Sequence, residues 1–390
     1  MLIANVRIAL SPTRSARRHV EIRGERVFLR KDLPPGDAVD LSGHLLLPGL
    51  INAHDHLEFN LFPRLGRRIY ANASEWAADI HRPDESPVRE HLAVDKGTRL
   101  IWGGLRNLLS GVTMVAHHNP YEADVFDDNF PVRVVRHFGW AHSMAFSPDA
   151  AARYRETPAD QPFIIHAGEG TDARARAEIA ELDAMGILSN RTVIVHGLAF
   201  DHDALALLRS RGASLVWCPS SNLLTYGETL GCDRLHAGVS VALGTDSAIS
   251  AAGDMSDELC VARTNCGMTS ESLYRMVTSD AANILRLNAS AGALFNGAVA
   301  DLVAVADRGQ TPAEALSDLA PELVAVRGRV HLVSETLAGR FASEMLAGFH
   351  PIALEGRGRW RTPFDVARLL DDARAALGPE VRLAGKLVQQ

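Results

Sequence analysis

Two histidines stand two positions apart in Asn52-Ala53-His54-Asp55-His56. In a β-strand, alternate side chains share a face, so His54 and His56 can aim two imidazoles into one cavity. Three more polar side chains each close an apolar run: His166 follows Phe163-Ile164-Ile165, His196 follows Val193-Ile194-Val195, and Asp246 follows Val241 to Thr245. Parallel strands bring their carboxyl ends together, and barrel enzymes build their sites at that end. Neutral imidazoles joined by a carboxylate suit Zn²⁺ or Fe²⁺.

The elements that must position these residues read as strands alternating with helical segments, the pattern of a parallel α/β sheet. Strands are expected over Leu45–His56, Val112–His118, Val132–Phe138, Phe163–His166, Thr192–His196, Ala213–Cys218 and Val239–Thr245. The stretch from Asn119 to Pro162 leaves the position of an eighth open. Helices are expected over Leu92–Leu109, Asp172–Met185, Asp203–Arg211 and Ser270–Leu287. Another is expected over Phe364–Leu377, with Thr362 as N-cap and Pro363 at its first position. A chain of 390 residues suits a barrel of this kind plus a smaller unit. The short alternating strands near Leu2–Ile8, Val20–Arg23 and Val27–Leu29 cannot bury a core alone. Their expected partners are the distant runs Asp301–Val305 and Leu323–Arg327. The predicted organisation is therefore a TIM-like (β/α)8 barrel over 49–296, possessing one irregular unit. A composite β-sandwich forms from 1–48 plus 297–340, and a helical tail over 341–390 packs on the barrel.

Composition narrows the function. Hydrophobic residues make up 47% of the chain, enough for a large core. The formal net charge is -7 and no dense basic run occurs, which argues against nucleic acid as a partner. No apolar run reaches the roughly 20 residues needed to span a bilayer, and no secretory leader is visible at Met1 to Leu10. The 4 cysteines form no CxxC pair and fit reduced thiols, so a cytoplasmic location is expected.

The motifs together carry a resemblance. Leu47-Pro48-Gly49-Leu50-Ile51-Asn52-Ala53-His54-Asp55-His56, His166-Ala167-Gly168-Glu169, Val195-His196-Gly197, Cys218-Pro219-Ser220-Ser221-Asn222, Gly244-Thr245-Asp246-Ser247 and Gly297-Ala298-Val299-Ala300-Asp301-Leu302 occur in one order. In that order they resemble the amidohydrolase superfamily, and within it the cytosine-deaminase-like aminohydrolases and related chlorohydrolases. The HAGE run is also similar to that of adenosine deaminases. The resemblance implies His54, His56, His166 and Asp246 as metal ligands, His196 beside the metal, and Glu169 as proton shuttle. Many superfamily members hold two metals bridged by a carboxylated lysine. Here the only lysines are Lys31, Lys96 and Lys386, none on a middle strand, and Val132–Phe146 contains no acidic residue. One divalent ion is expected, Zn²⁺ first and Fe²⁺ second.

Such a site turns water into a nucleophile. The expected activity is an aminohydrolase, a deaminase acting on a small nitrogen-containing heterocycle. Its alternatives are hydrolysis of a cyclic amide, an amide or a C–Cl bond at the same site, and, last, a catalytically dead binding module. Small-molecule substrate and water are the expected partners, with a homodimer as the base-rate assembly. Substrate contacts are expected from His118 at the end of its strand, from Trp140 and His142, from Asn222, and from Arg64 and Trp76 in the long loop after the first strand.

Overall fold

The computed structural model describes residues 1–288 and 290–390. Eight short strands run in chain order through the middle of the chain: β1 (Leu50–Asp55), β2 (Val112–His117), β3 (Arg133–Val134), β4 (Gly139–Ser143), β5 (Phe163–Ala167), β6 (Thr192–His196), β7 (Ser214–Trp217) and β8 (Ser240–Leu243). They form two parallel sheets, a three-stranded one of β1–β2–β3 and a five-stranded one from β4 to β8. The sheets meet where the backbone N–H groups of Thr245 and Asp246 both donate to the His54 carbonyl, each at 3.1 Å. Gly244 makes that approach possible, since a Cβ there would lie 2.8 Å from the His54 Cβ.

These strands are buried on both faces, as parallel strands usually are. Ile51, Ala53, Met114, Ile164, Val193 and Val216 belong to one apolar cluster. The alternate residues Phe163, Ile165, Ile194, Leu215 and Leu243 pack into a larger one with the helices.

Both chain ends build a separate twelve-stranded sheet. Leu2–Ala9 pairs in parallel with His44–Pro48, which pairs antiparallel with Leu302–Ala306, Leu47 opposite Val303. Leu323–Val326 and Arg329–Ser334 continue it. All of these strands are linked by hydrogen bonds into one sheet.

Several elements differ from the sequence-based expectation. Leu45–His56 is two strands, because Gly49 turns the chain from the end sheet into β1. Its N–H donates to Asp301 O at 2.8 Å, and a Cβ at Gly49 would lie 2.1 Å from Thr113 Oγ1. The run Val132–Phe138 pairs only at Arg133–Val134, and the unplaced strand is Gly139–Ser143. No helix separates β3 from β4. Asp95 caps a helix over Lys96–Leu109 by accepting from Thr98 N, so the helix expected from Leu92 breaks there. Ser270–Leu287 divides into Ser270–Met276 and Ser279–Ile284, because the Val277 carbonyl accepts from Ile51 N at 2.8 Å.

The tail is corrected most. Residues 341–390 contribute the strands His350–Leu354, Gly358–Thr362, Arg382–Leu383 and Lys386–Gln389, with one α-helix, Val366–Leu377. Thr362 is no cap, since it lies in a strand and its buried hydroxyl donates to His331 O at 2.8 Å. Asp365 caps instead, accepting from Arg368 N. The helix docks against the helix Lys96–Leu109, where Trp102 Nε1 donates to Leu369 O at 3.4 Å. Among the described residues, no helix is long and apolar enough to cross a membrane.

Candidate active site

His54, His56, His118 and His166 converge at the carboxyl ends of β1, β2 and β5. One ring nitrogen from each lies within 4.8 Å of the others. His166 Nδ1 donates to His142 O at 2.6 Å, which leaves Nε2 with its lone pair free. That Nε2 faces His54 Nε2 at 3.2 Å. Burial, reinforced by neighbouring imidazoles, holds His54, His118 and His166 well below the usual histidine pKa. They are therefore neutral at pH 7, the form that binds metals.

Asp246 stands across from the HDH pair, with Oδ1 3.9 Å from both His54 Nε2 and His56 Nε2. Its Oδ2 accepts from the hydroxyls of Ser221 at 2.7 Å and Ser250 at 2.8 Å, and Oδ1 accepts from Ser247 N at 2.8 Å. Burial pushes its carboxyl up. His56, His196 and the two hydroxyls outweigh that and hold it below the ordinary range. Asp246 has φ 51° and His196 φ 75°, left-handed conformations rarely adopted by such residues. Strain of this kind concentrates at functional sites.

His196 Nδ1 lies 2.9 Å from Asn222 Oδ1, and its Nε2 lies 3.5 Å from Glu169 Oε1. Glu169 also accepts from the Tyr226 hydroxyl at 2.6 Å. Burial and the Glu169 charge push the Tyr226 phenol well above its usual pKa, so it stays a donor. Nothing in the sequence pattern marked Tyr226. It is delivered by the helix Pro219–Tyr226, which starts directly after β7.

A second buried network was equally unmarked. Arg106, on the helix Lys96–Leu109, donates from NH1 to Asp55 Oδ2, Thr245 Oγ1 and the Asp246 carbonyl, each at 3.0 Å. Its Nε donates to Gly253 O at 2.9 Å. Asn107 and Asn60 also donate to Asp55, at 2.8 and 2.9 Å. Asn52 joins β1 to the end of β8, donating to Thr245 Oγ1 at 2.7 Å and accepting from Thr245 N at 3.1 Å. The aspartate between the two histidines was the one available sign, since an acid on the opposite strand face needs a buried cation.

A cavity of about 650 Å³ opens above this cluster. His56, His166, Glu169, His196 and Asp246 line it, as do Trp76, Trp140 and His142. Three expected substrate contacts fall elsewhere. Arg64 is exposed to solvent, off the cavity wall. His118 belongs to the cluster but lies off the cavity wall, stacked on His166 at 4.5 Å with Nε2 bonded to Ala141 O at 3.0 Å. Asn119, one residue on, faces the cavity instead. Asn222 is fully buried and spent on His196.

Comparison with known proteins agrees with this geometry. Residues 113–331 match the profile of the Amidohydrolase family. The chain is 27% identical over 338 residues to a 5-methylthioadenosine/S-adenosylhomocysteine deaminase of Syntrophobacter fumaroxidans, spanning 71% of this chain and 75% of that one. The protein of the same name from Pyrococcus furiosus is 26% identical over 334 residues, 70% and 77% of the two chains. Among solved structures, a mutant atrazine chlorohydrolase from Arthrobacter aurescens complexed with zinc and atraton superposes with TM-score 0.74 at 17% identity, covering 96% of this chain and 99% of that one. A zinc-bound adenosine deaminase from Xanthomonas campestris superposes with TM-score 0.71 at 18% identity, covering 96% and 97%. The chain shares the fold of these enzymes.

Proposed function

The chain belongs to the amidohydrolase family, and from that premise we propose that it is a metal-dependent aminohydrolase that deaminates a small nitrogen-containing heterocycle. We read the eight parallel strands as a (β/α)8-type barrel, irregular between Val134 and Gly139, with 1–48 and 297–340 as one composite unit beside it.

His54, His56, His166 and Asp246 are the proposed ligands of one divalent ion, Zn²⁺ before Fe²⁺. Ligand atoms about 2.0–2.2 Å from a common ion lie roughly 3.0–4.4 Å apart. The separations of 3.2 and 3.9 Å between these donor atoms meet that requirement. The chemistry such an ion supplies when bound is a hydroxide nucleophile near neutral pH.

The chain's own groups do the rest. Asp246, stabilised as the anion by its hydroxyl donors, accepts the proton released by water. Glu169 delivers a proton to the ring nitrogen beside the amine-bearing carbon, which makes that carbon electrophilic. Asn222 fixes the His196 ring. The ring Nε2, 3.5 Å from Glu169 Oε1, faces the reacting centre and, when protonated, steadies the developing tetrahedral oxygen. The proton taken by Asp246 then passes to the departing amine, the hydroxyl proton of the tetrahedral intermediate returns to Glu169, and ammonia leaves with a carbonyl formed in its place. The observation that carries this reading is Glu169, held between Tyr226 and His196 on the wall of the cavity that the histidine cluster floors.

A panel of purine, pyrimidine, pterin, guanidino, s-triazine and lactam compounds, assayed for ammonia, chloride and ring opening, tests it. Ammonia release by wild type that vanishes in Glu169→Gln at unchanged metal content is the expected result. Silence on all amines with turnover of lactams or chlorotriazines overturns it.

A further inference from the structure

We infer that the site selects an amine whose distal substituent is uncharged and apolar, and that the segment from Phe59 to Leu92 makes the selection; this rests on the aminohydrolase reading. The cavity, about 650 Å³, is of the size that encloses a drug-sized ligand rather than a bare ring. The segment Phe59 to Leu92 lines it with Phe59, Phe62, Trp76, Ile80 and Leu92, His81 being the ionisable side chain among its contributions, and Ile249 joins from the loop after β8. One guanidinium reaches the lining, that of Arg153. Its Nε donates to Asp149 Oδ2 at 2.9 Å, and the guanidinium lies 5.8 Å over the Trp140 ring. The lining carboxylates are Glu169 and Asp246, both at the reacting end. A zwitterionic tail placed along this wall finds no carboxylate for its ammonium, and desolvating that charge unpaired is costly. An alkyl, alkylthio or aryl tail loses only its contact with water.

The wall is also fixed to the proton shuttle. Ala73 N donates to the Glu169 carbonyl at 3.1 Å, and Thr171 N donates to the Ala71 carbonyl at 2.8 Å. Asn72 caps the helix Ala73–Ile80 and donates to Asp172 at 2.6 Å. The helix that carries Trp76 and Ile80 is therefore tied to the backbone of Glu169.

The relatives' shared name spans a methylthio nucleoside and one with an amino-acid tail, which makes the pair a direct test. Turnover and calorimetric binding of 5′-methylthioadenosine, S-adenosylhomocysteine and adenosine are measured on the zinc-loaded full-length protein, on Trp76→Ala and on Ile80→Arg. The expected preference for the methylthio compound over the amino-acid one is at least ~30-fold, the scale of a polar group left unmatched in an apolar pocket. Each substitution lowers that preference by roughly 10-fold, with the larger loss on the methylthio compound and the smaller on adenosine. Equal or better binding of S-adenosylhomocysteine, binding of neither tail-bearing compound, or equal losses on all three overturns the inference. A preserved binding preference with no ammonia from any compound removes the aminohydrolase reading and leaves the apolar selection standing.

Discussion

Replacing Arg106 with methionine keeps its length and apolar stem while removing five donors from a place water does not reach. The Arg106 and Asp55 side chains are 2% and 0% exposed. Asp55 would keep the Asn60 and Asn107 amides but lose its cation, and the Asp246 and Gly253 carbonyls would lose a donor. Breaking a buried ion pair from one side costs about 3–5 kcal/mol. That loss should be seen as a lower guanidinium midpoint in the metal-free protein. Because Arg106 ties the segment carrying His54 and His56 to the carbonyl of Asp246, the variant should also bind zinc about 10–100-fold more weakly, the usual effect of removing a group that orients ligands. Zinc affinity is read by competition with a chromophoric chelator. Adding Asp55→Asn to Arg106→Met should recover part of the stability, since the orphaned charge is then gone, with a coupling of about 0.5–3 kcal/mol. A stability loss below about 1 kcal/mol with unchanged zinc affinity would show that the network does not hold the site, whatever its geometry.

Four other outcomes follow from the same side chains. Glu169→Gln should lower kcat by about 10²–10⁴ with zinc content intact; parallel loss of metal would mean that Glu169 acts as a ligand. Tyr226→Phe should reduce kcat several-fold without altering metal content, and no change would show that the 2.6 Å bond to Glu169 is idle. Asn222→Leu should lower kcat far more than it raises KM, since it frees the His196 ring rather than touching substrate; a pure KM effect contradicts that. Burial raises the Glu258 carboxyl to about 8, so the folded protein keeps a proton there that the unfolded chain releases above its normal carboxylate range. Stability from this group is therefore full at low pH and is lost as pH rises towards about 8, by an amount of up to about 5 kcal/mol. Glu258→Gln should flatten the stability profile between pH 5 and 8, and an unchanged slope refutes the assignment.

The strands that carry His166 and His196 were legible because each is an apolar run closed by a polar residue, a pattern set by burial on both faces, and β1 was legible from the alternation of His54 and His56. β3 and β4 were harder. Arg133–Val134 pairs over two residues, and Gly139-Trp140-Ala141-His142-Ser143 carries too little apolar periodicity to announce a strand. The tail misled because Thr362-Pro363 is a good helix start in isolation, while tertiary pairing drew Thr362 into a sheet. Around the site, the ring-bearing residues were readable from their strand ends. Arg106, Asn107 and Tyr226 were not, because each lies on a helix whose rotation about its strand is fixed only by packing. Arg64 shows the converse: its charge and loop position drew attention that its exposed setting does not support.

The most direct test of the account is anomalous diffraction at the zinc edge from crystals of the zinc-loaded protein. One peak is predicted, about 2.0–2.2 Å from ring nitrogens of His54, His56 and His166 and from a carboxylate oxygen of Asp246. Two peaks, or a single peak held by His118 with Asp246 outside bonding distance, would contradict it.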